Sequence, residues 1–222
     1  MATKKKTEST TTSTLAINPI GIGTVTVSLV GETEIILHRL SQKMKDEIQN
    51  NEGGLQDPKR KKKQPRTKEV IEREYQDAFY LTKEGNPAFK ALGLKLAMVR
   101  ACRDLDMHMT EARGRLHVLG ENGGNEDELL EIIPDGGKPY MRTDFVKVGN
   151  GGGTLRYRPG IPAGWKVNAT IKYNKAHLTE EAIVNILNQA GFGVGLCEWR
   201  PEKNGSYGRF HVESITTWKN AA

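Results

Sequence analysis

The stretch TEEAIVNILNQAGFGVGLCEWRPEKNGSYGRFHV, residues 179–212, decides how this chain folds. Thr179 is suited to an N-cap, because its hydroxyl can accept from the unpaired N–H groups of a first helical turn. Glu180 and Glu181 then meet the positive end of the helix. Ile183, Ile186, Leu187 and Ala190 recur at i, i+3, i+4 and i+7, which makes one face apolar. Gly191 is expected to stop this helix in a left-handed C-cap. Beyond it GVGLCEW (193–199) reads as a strand, RPEKNGSYG (200–208) as a turn and RFHVESI (209–215) as a strand. Upstream, WKVNATIKY (165–173) alternates like a half-buried strand. The order β-α-β-β is half of a split β-α-β, or ferredoxin-like, sheet.

The alternating glycines 191, 193 and 195 superficially suit a dinucleotide fingerprint, but that motif follows a strand and opens a helix. Here the order is reversed. Alternate glycines bare one face of a strand, where a helix, a neighbouring backbone or a nucleotide can approach. Trp199, Arg200, Lys203, Tyr207, Arg209 and Phe210 gather around the turn Asn204-Gly205. Aromatics mixed with arginine can grip unstacked bases and their phosphates. Trp199 and Phe210 fit a core equally well, since residues of opposite parity on a strand face opposite ways. On this reading residues 191–199 are architecture, with Gly193 and Gly195 at the closest helix-to-sheet approach. The turn beyond them exposes Arg200, Lys203, Tyr207 and Arg209 to nucleic acid.

Earlier in the chain, TVTVSLV (24–30) places Val25, Val27 and Leu29 on one side of a strand, and EIILH (34–38) reads as a second. Ser41 can cap a short helix, QKMKDEIQN (42–50). KEVIEREYQDAFYL (68–81) has a helical apolar face of Val70, Ile71, Tyr75, Ala78 and Phe79. Asn86-Pro87 predicts a helix start, with Phe89, Leu92, Leu96, Val99 and Cys102 as the core stripe behind it. From RLHVL (115–119) the pattern is β-rich: ENGGNEDE as an acidic loop, LLEII as a strand, PDGGK as a hairpin-type turn and YMRTDFVKV as a strand. GNGGG (149–153) reads as a linker or hairpin loop. It precedes a strand and lacks a following Lys-Ser/Thr, so it is no P-loop.

At 222 residues, 36% hydrophobic and 27% charged, the composition fits one α+β domain over 19–222 behind a disordered tail at 1–18. No apolar run approaches the ~18 residues of a membrane span. The first residues lack the apolar region of a secretory signal. Cys102 and Cys197, far apart, are expected to be reduced core thiols of a cytosolic protein. The net charge is +6, and QDPKRKKKQPRTK (56–68) alone carries seven Lys/Arg against one Asp. The rest of the chain is therefore near neutral. This flexible basic loop, at about 51–68, is a solubilising segment, a nuclear-localisation signal or an arm that neutralises phosphates. The last reading selects Lys59, Arg60, Lys61, Lys62, Lys63 and Arg66.

The five histidines form no metal-ligand spacing, and no cofactor motif or nucleophile elbow is present. His38 or His211 could serve as a general base in RNA cleavage, or be an ordinary strand residue. IVNILNQAGFGVGLCEWRPEKNGSYGRF, with MTEARGRLHV and LHRLSQKMKDEI, resembles a family of tailed-phage and prophage proteins of uncharacterised activity. The resemblance implies a viral origin and a place in the cytoplasm of a bacterial host. The last third is also similar to the RAMP superfamily, which includes backbone subunits of CRISPR complexes. The expectation is a ferredoxin-like or RRM-like (RAMP-like) antiparallel sheet with an inserted basic loop. Such a protein would bind single-stranded RNA or DNA without catalysis or a cofactor, as a homo-oligomer and away from membranes. A structural or host-interaction (anti-defence) protein, or a metal-independent ribonuclease, are the alternatives.

Overall fold

The computed structural model describes residues 19–40, 66–147 and 153–217. The expected tail, the helix at 42–50 and the Lys59–Lys63 segment fall outside them. In β1 (Ile22–Gly31) Val25, Val27 and Leu29 are fully buried, while Thr24, Thr26 and Ser28 stand on the other side. β10 (Lys166–Asn174) pairs with it antiparallel, Val25 opposite Ile171, Val27 opposite Ala169 and Leu29 opposite Val167. One face of both strands is thus apolar. β11 (Phe210–Thr217) flanks β1 and β5 (Leu116–Leu119) flanks β10, giving the antiparallel order β11-β1-β10-β5. The apolar face is covered by α2 (Ala91–Ala101) and α4 (Glu180–Gln189). Within this layer the chain runs β1-α2-β5-β10-α4-β11, two β-α-β units side by side. The opposite face carries Thr24, Thr26, Ser28, Asn168, Thr170 and Lys172, and no Phe, Tyr or Trp among the described residues.

The helix start at Thr179 forms as expected: the Thr179 hydroxyl accepts from the Ala182 N–H at 3.1 Å. Ile183, Ile186, Leu187 and Ala190 are all buried. The helix end differs. The chain continues past Gly191 in a π turn, Ala190–Val194, and the left-handed residue that closes it is Gly195, at φ 73°. Gly191 is needed for close approach instead, because a Cβ there would meet the carbonyl of Phe210 on β11. Gly193 has ordinary space around it, so it is not where the helix docks most closely.

GVGLCEW does not form a strand. Cys197 and Trp199 join Gly195 at positive φ (60° and 49°), outside the β region, and neither belongs to a sheet. Residues 196–209 form a closed loop, tied by Leu196 N–H to Gly208 carbonyl at 2.9 Å and Tyr207 N–H to Trp199 carbonyl at 3.1 Å. The last third is therefore β-α-β rather than β-α-β-β.

Two smaller sheets complete the molecule. β2 (Ile35–Ile36), β9 (Gly153–Ile161) and β8 (Tyr140–Lys147) form one, in that order. β3 (Tyr80–Leu81), β4 (Pro87–Lys90), β7 (Glu126–Glu131) and β6 (Glu121–Gly123) form the other. Two helices remain: α1 (Lys68–Asp77), expected from its apolar face, and the short α3 (Met109–Arg115), for which sequence patterning gave no helix.

Asn86-Pro87 does not start a helix. Pro87 opens β4, where its fixed φ is compatible with a strand, and α2 begins only after Lys90. The core stripe of α2 is Leu94, Ala97, Met98 and Ala101, whereas Leu92 and Leu96 are 51% and 42% exposed. α2 is apolar over most of its surface, and Phe89, Val99 and Cys102 of the expected stripe are buried. α1 stops at Asp77, and its Val70 is exposed. ENGGNEDE is not a loop but the β6–β7 hairpin, and PDGGK joins two different sheets rather than closing a hairpin. β8 and β9 do form a hairpin, with Lys147 opposite Gly153 across the GNGGG segment.

Candidate nucleic-acid interface

Alternation along β8 and β9 brings Arg142, Asp144 and Arg158 to one face, with Arg142 directly opposite Arg158. Arg158 is only 2% exposed. A buried guanidinium requires carboxylate partners. Its Nη2 and Nε donate to Asp144 at 2.8 and 3.2 Å, and its Nη1 to Glu198 at 3.3 Å. Arg142 donates to Glu34 at 2.6 Å and to Asp144 at 3.1 Å. Burial opposes the charge on Arg142, but hydrogen bonds to Asp144 and Glu34 outweigh it and hold its pKa above the ordinary value.

The 196–209 loop sits on this pair of arginines. The Arg158 guanidinium lies 4.5 Å from the Trp199 ring, and that of Arg142 lies 4.9 Å from Tyr207. Glu198 is held below the usual carboxylate range chiefly by His38, whose Nδ1 lies 3.8 Å away, against burial, with the charges of Arg158 and Arg200 adding to the effect. Burial, with the Glu198 charge, pushes the neighbouring Cys197 thiol up to about 12, so it is unreactive near neutrality.

Beside this network runs a groove of about 450 Å³ between α1 and the outer edge of β9. β2 covers that edge only at Ile161 and Gly160. Further along, Arg66 takes the Leu155 carbonyl at 2.7 Å, pairs with Glu74 at 3.4 Å and lies 5.7 Å from the Tyr157 ring. Arg39, Arg73, Arg156 and Tyr157 also line the groove. Arg73 and Arg156 have no hydrogen-bond or ion-pair partner among the described residues. Leu40 and Arg66 both stand in the wall, and the Lys59–Lys63 segment lies between them in sequence.

The sequence-selected residues divide. Arg66 is in the groove. Arg200 is committed internally, to Glu202 at 2.9 Å and the Cys197 carbonyl at 2.9 Å. Tyr207 packs between Arg142 and Trp199 rather than standing free. Arg209 pairs with Glu32 at 2.8 Å beside the exposed Phe192 ring, and Lys203 is on the surface. His211 lies 3.2 Å from Glu32. The turn expected to be free surface is thus tied to the β8–β9 hairpin. Sequence reading passed over Arg73, Arg142, Asp144, Arg156, Arg158 and Glu198. The one available signal was LRYRP (155–159), where two arginines alternate with an aromatic on a strand.

No family model and no curated protein matches the chain. Among solved structures it is similar to a chain of the cryo-EM structure of the Type III-B Cmr-beta complex bound to cognate target RNA. The TM-score is 0.50 and the identity 13%, over 90% of this chain. It spans 62% of the length of that chain. The likeness is one of fold: α+β, with antiparallel sheets and helices in a comparable arrangement. Among the described residues no helix is long and apolar enough to cross a membrane.

Proposed function

We propose that this protein binds single-stranded RNA or DNA through the groove between α1 and β9, without catalysis. The observation that carries the reading is a pair of guanidiniums, Arg73 and Arg156, that find no partner among the described residues and line the same basic groove as Tyr157. Guanidinium forks suit phosphate, and an aromatic face suits an unstacked base. The Lys59–Lys63 arm, joined in sequence to the groove wall at Arg66, would add diffuse phosphate attraction. Two likenesses support the reading: the fold of a chain from an RNA-bound complex, and the RAMP-like character of the last third. The strand order β11-β1-β10-β5 is the order a ferredoxin-like sheet takes, and we read the central layer as one. Its open face lacks the aromatics of an RRM platform, so binding is assigned to the groove instead. The phage-like C-terminal phrase supports a viral protein acting as a homo-oligomer in a bacterial cytoplasm.

The test is a titration of labelled single-stranded RNA and DNA. Arg73→Ala with Arg156→Ala should weaken both by about tenfold or more while the melting temperature holds. Unchanged affinity removes the groove from the mechanism. His38→Ala should leave the fate of a labelled RNA unaltered, because a binder moves no proton. A wild-type cleavage that disappears in that variant would promote the ribonuclease reading.

A further inference from the structure

A second, smaller cleft of about 280 Å³ adjoins the basic groove, and His38 lines both. Its composition is different. Phe89, Leu96, Ala97 and Leu196 supply apolar lining, Glu198 lines it too, and the cations present, Lys90, Arg100 and Arg200, are each paired with a carboxylate, Glu126 or Glu202. The two cavities also meet through one ion pair: Arg158 lines the groove, Glu198 lines the cleft, and they are 3.3 Å apart. A basic channel running into a half-apolar cleft matches the anatomy of a nucleotide, with anionic phosphate on one side and a flat, weakly polar base on the other.

We propose that this cleft receives one unstacked base of the bound strand, and that Glu198 selects guanine there. The inference rests on the groove-binding reading above. An ionised carboxylate only accepts hydrogen bonds. Glu198 is kept ionised by His38 and Arg158, and its side chain remains 40% exposed, with lone pairs to spare. Guanine alone among the common bases offers two adjacent donors, N1–H and N2–H, on its pairing edge, a bidentate match for a carboxylate. Adenine and cytosine offer one amino group beside an acceptor, which the carboxylate repels. Uracil offers one N–H flanked by two carbonyls. The preference therefore follows from the charge of one side chain, and that side chain meets the pairing edge only of an unpaired base.

Gly93 on α2 gives a clean block. It lines the cleft, and a Cβ there would meet only Phe89, at an ordinary 3.8 Å. Gly93→Leu fills the cleft and replaces a poor helix residue with a good one, so the fold should not suffer. The probes are a short all-uridine RNA and the same RNA with one central guanine, titrated against the full chain. The guanine should tighten binding about tenfold. Glu198→Gln and Gly93→Leu should each erase that difference, and Gly93→Leu should keep the all-uridine affinity and its salt dependence. Equal wild-type affinity for the two RNAs overturns the cleft while leaving the groove reading standing. So does a guanine preference that survives both substitutions. Failure to bind either RNA overturns the cleft, and overturns the groove with it when single-stranded DNA is not bound either.

Discussion

Arg158 shows how a single residue can organise a site without being visible in sequence. An arginine on a strand reads as surface, because arginine is almost never fully buried unless paired. Its partners, Asp144 and Glu198, come from another strand and from the loop after α4, so the pairing exists only in the fold. Removing the cation leaves the buried Asp144 with Arg142 as its remaining cationic partner and takes one from Glu198. Arg158→Met should therefore lower stability by ~1–3 kcal/mol, read as a fall in the urea midpoint with the slope unchanged. Arg158→Met with Asp144→Leu should recover part of that loss, since an apolar pair needs no charge partner while Arg142 keeps Glu34. No recovery would mean that stacking on Trp199, not the ion pair, is what holds the loop. The glycines separate in the same way. Gly191→Ala drives a methyl at the Phe210 carbonyl and should lower stability by ~1–3 kcal/mol, a fall of several degrees in melting temperature. Gly193→Ala has room and should melt within about a degree of the wild type.

At the scale of elements, what was legible is what local chemistry fixes alone. The alternation of β1 and β10 and the capped amphipathic α4 follow from period and cap, and each formed with the residues expected to be buried. The rest depended on partners distant in sequence. Pro87 sits in a strand because Ala88 and Phe89 pair with Glu131 and Leu130, which no local signal announces. The 196–209 loop takes its positive-φ backbone because the β8–β9 arginines hold Trp199 and Tyr207 from outside. That docking carries a pH signature. Glu198 has a folded pKa below its unfolded one, so its contribution is complete above the ordinary carboxylate range near pH ~4.3. It is lost as pH falls through the lower folded value. Between about pH 5 and 3 the wild type should lose stability more steeply than Glu198→Gln, which has no proton to take up at that position. Parallel acid limbs in paired denaturant titrations would show that Glu198 does not report on loop docking.

Over the whole molecule the decisive quantity is where the charge lies. The chain carries +6, and residues 56–68 account for +6 on their own, so everything else is near neutral. A near-neutral body whose groove offers Arg73 and Arg156 cannot attract a polyanion from a distance. It can only hold one that has arrived, through short-range forks and stacking. Attraction must then come from the basic segment and placement from the groove, and salt separates these two roles. Each cation that no longer neutralises a phosphate lowers the log–log salt slope by ~0.7 for a single strand. Changing Lys59, Arg60, Lys61, Lys62 and Lys63 to Ala should flatten the slope by up to ~3.5 and slow association, with affinity converging on the wild type at high salt. Arg73→Ala with Arg156→Ala should change the slope by only ~1.4. Its affinity should stay below the wild type even where salt has screened the arm, because the forks act at short range. If both variants instead lose affinity in parallel at every salt concentration, arm and groove are one surface and the division of labour between them is wrong.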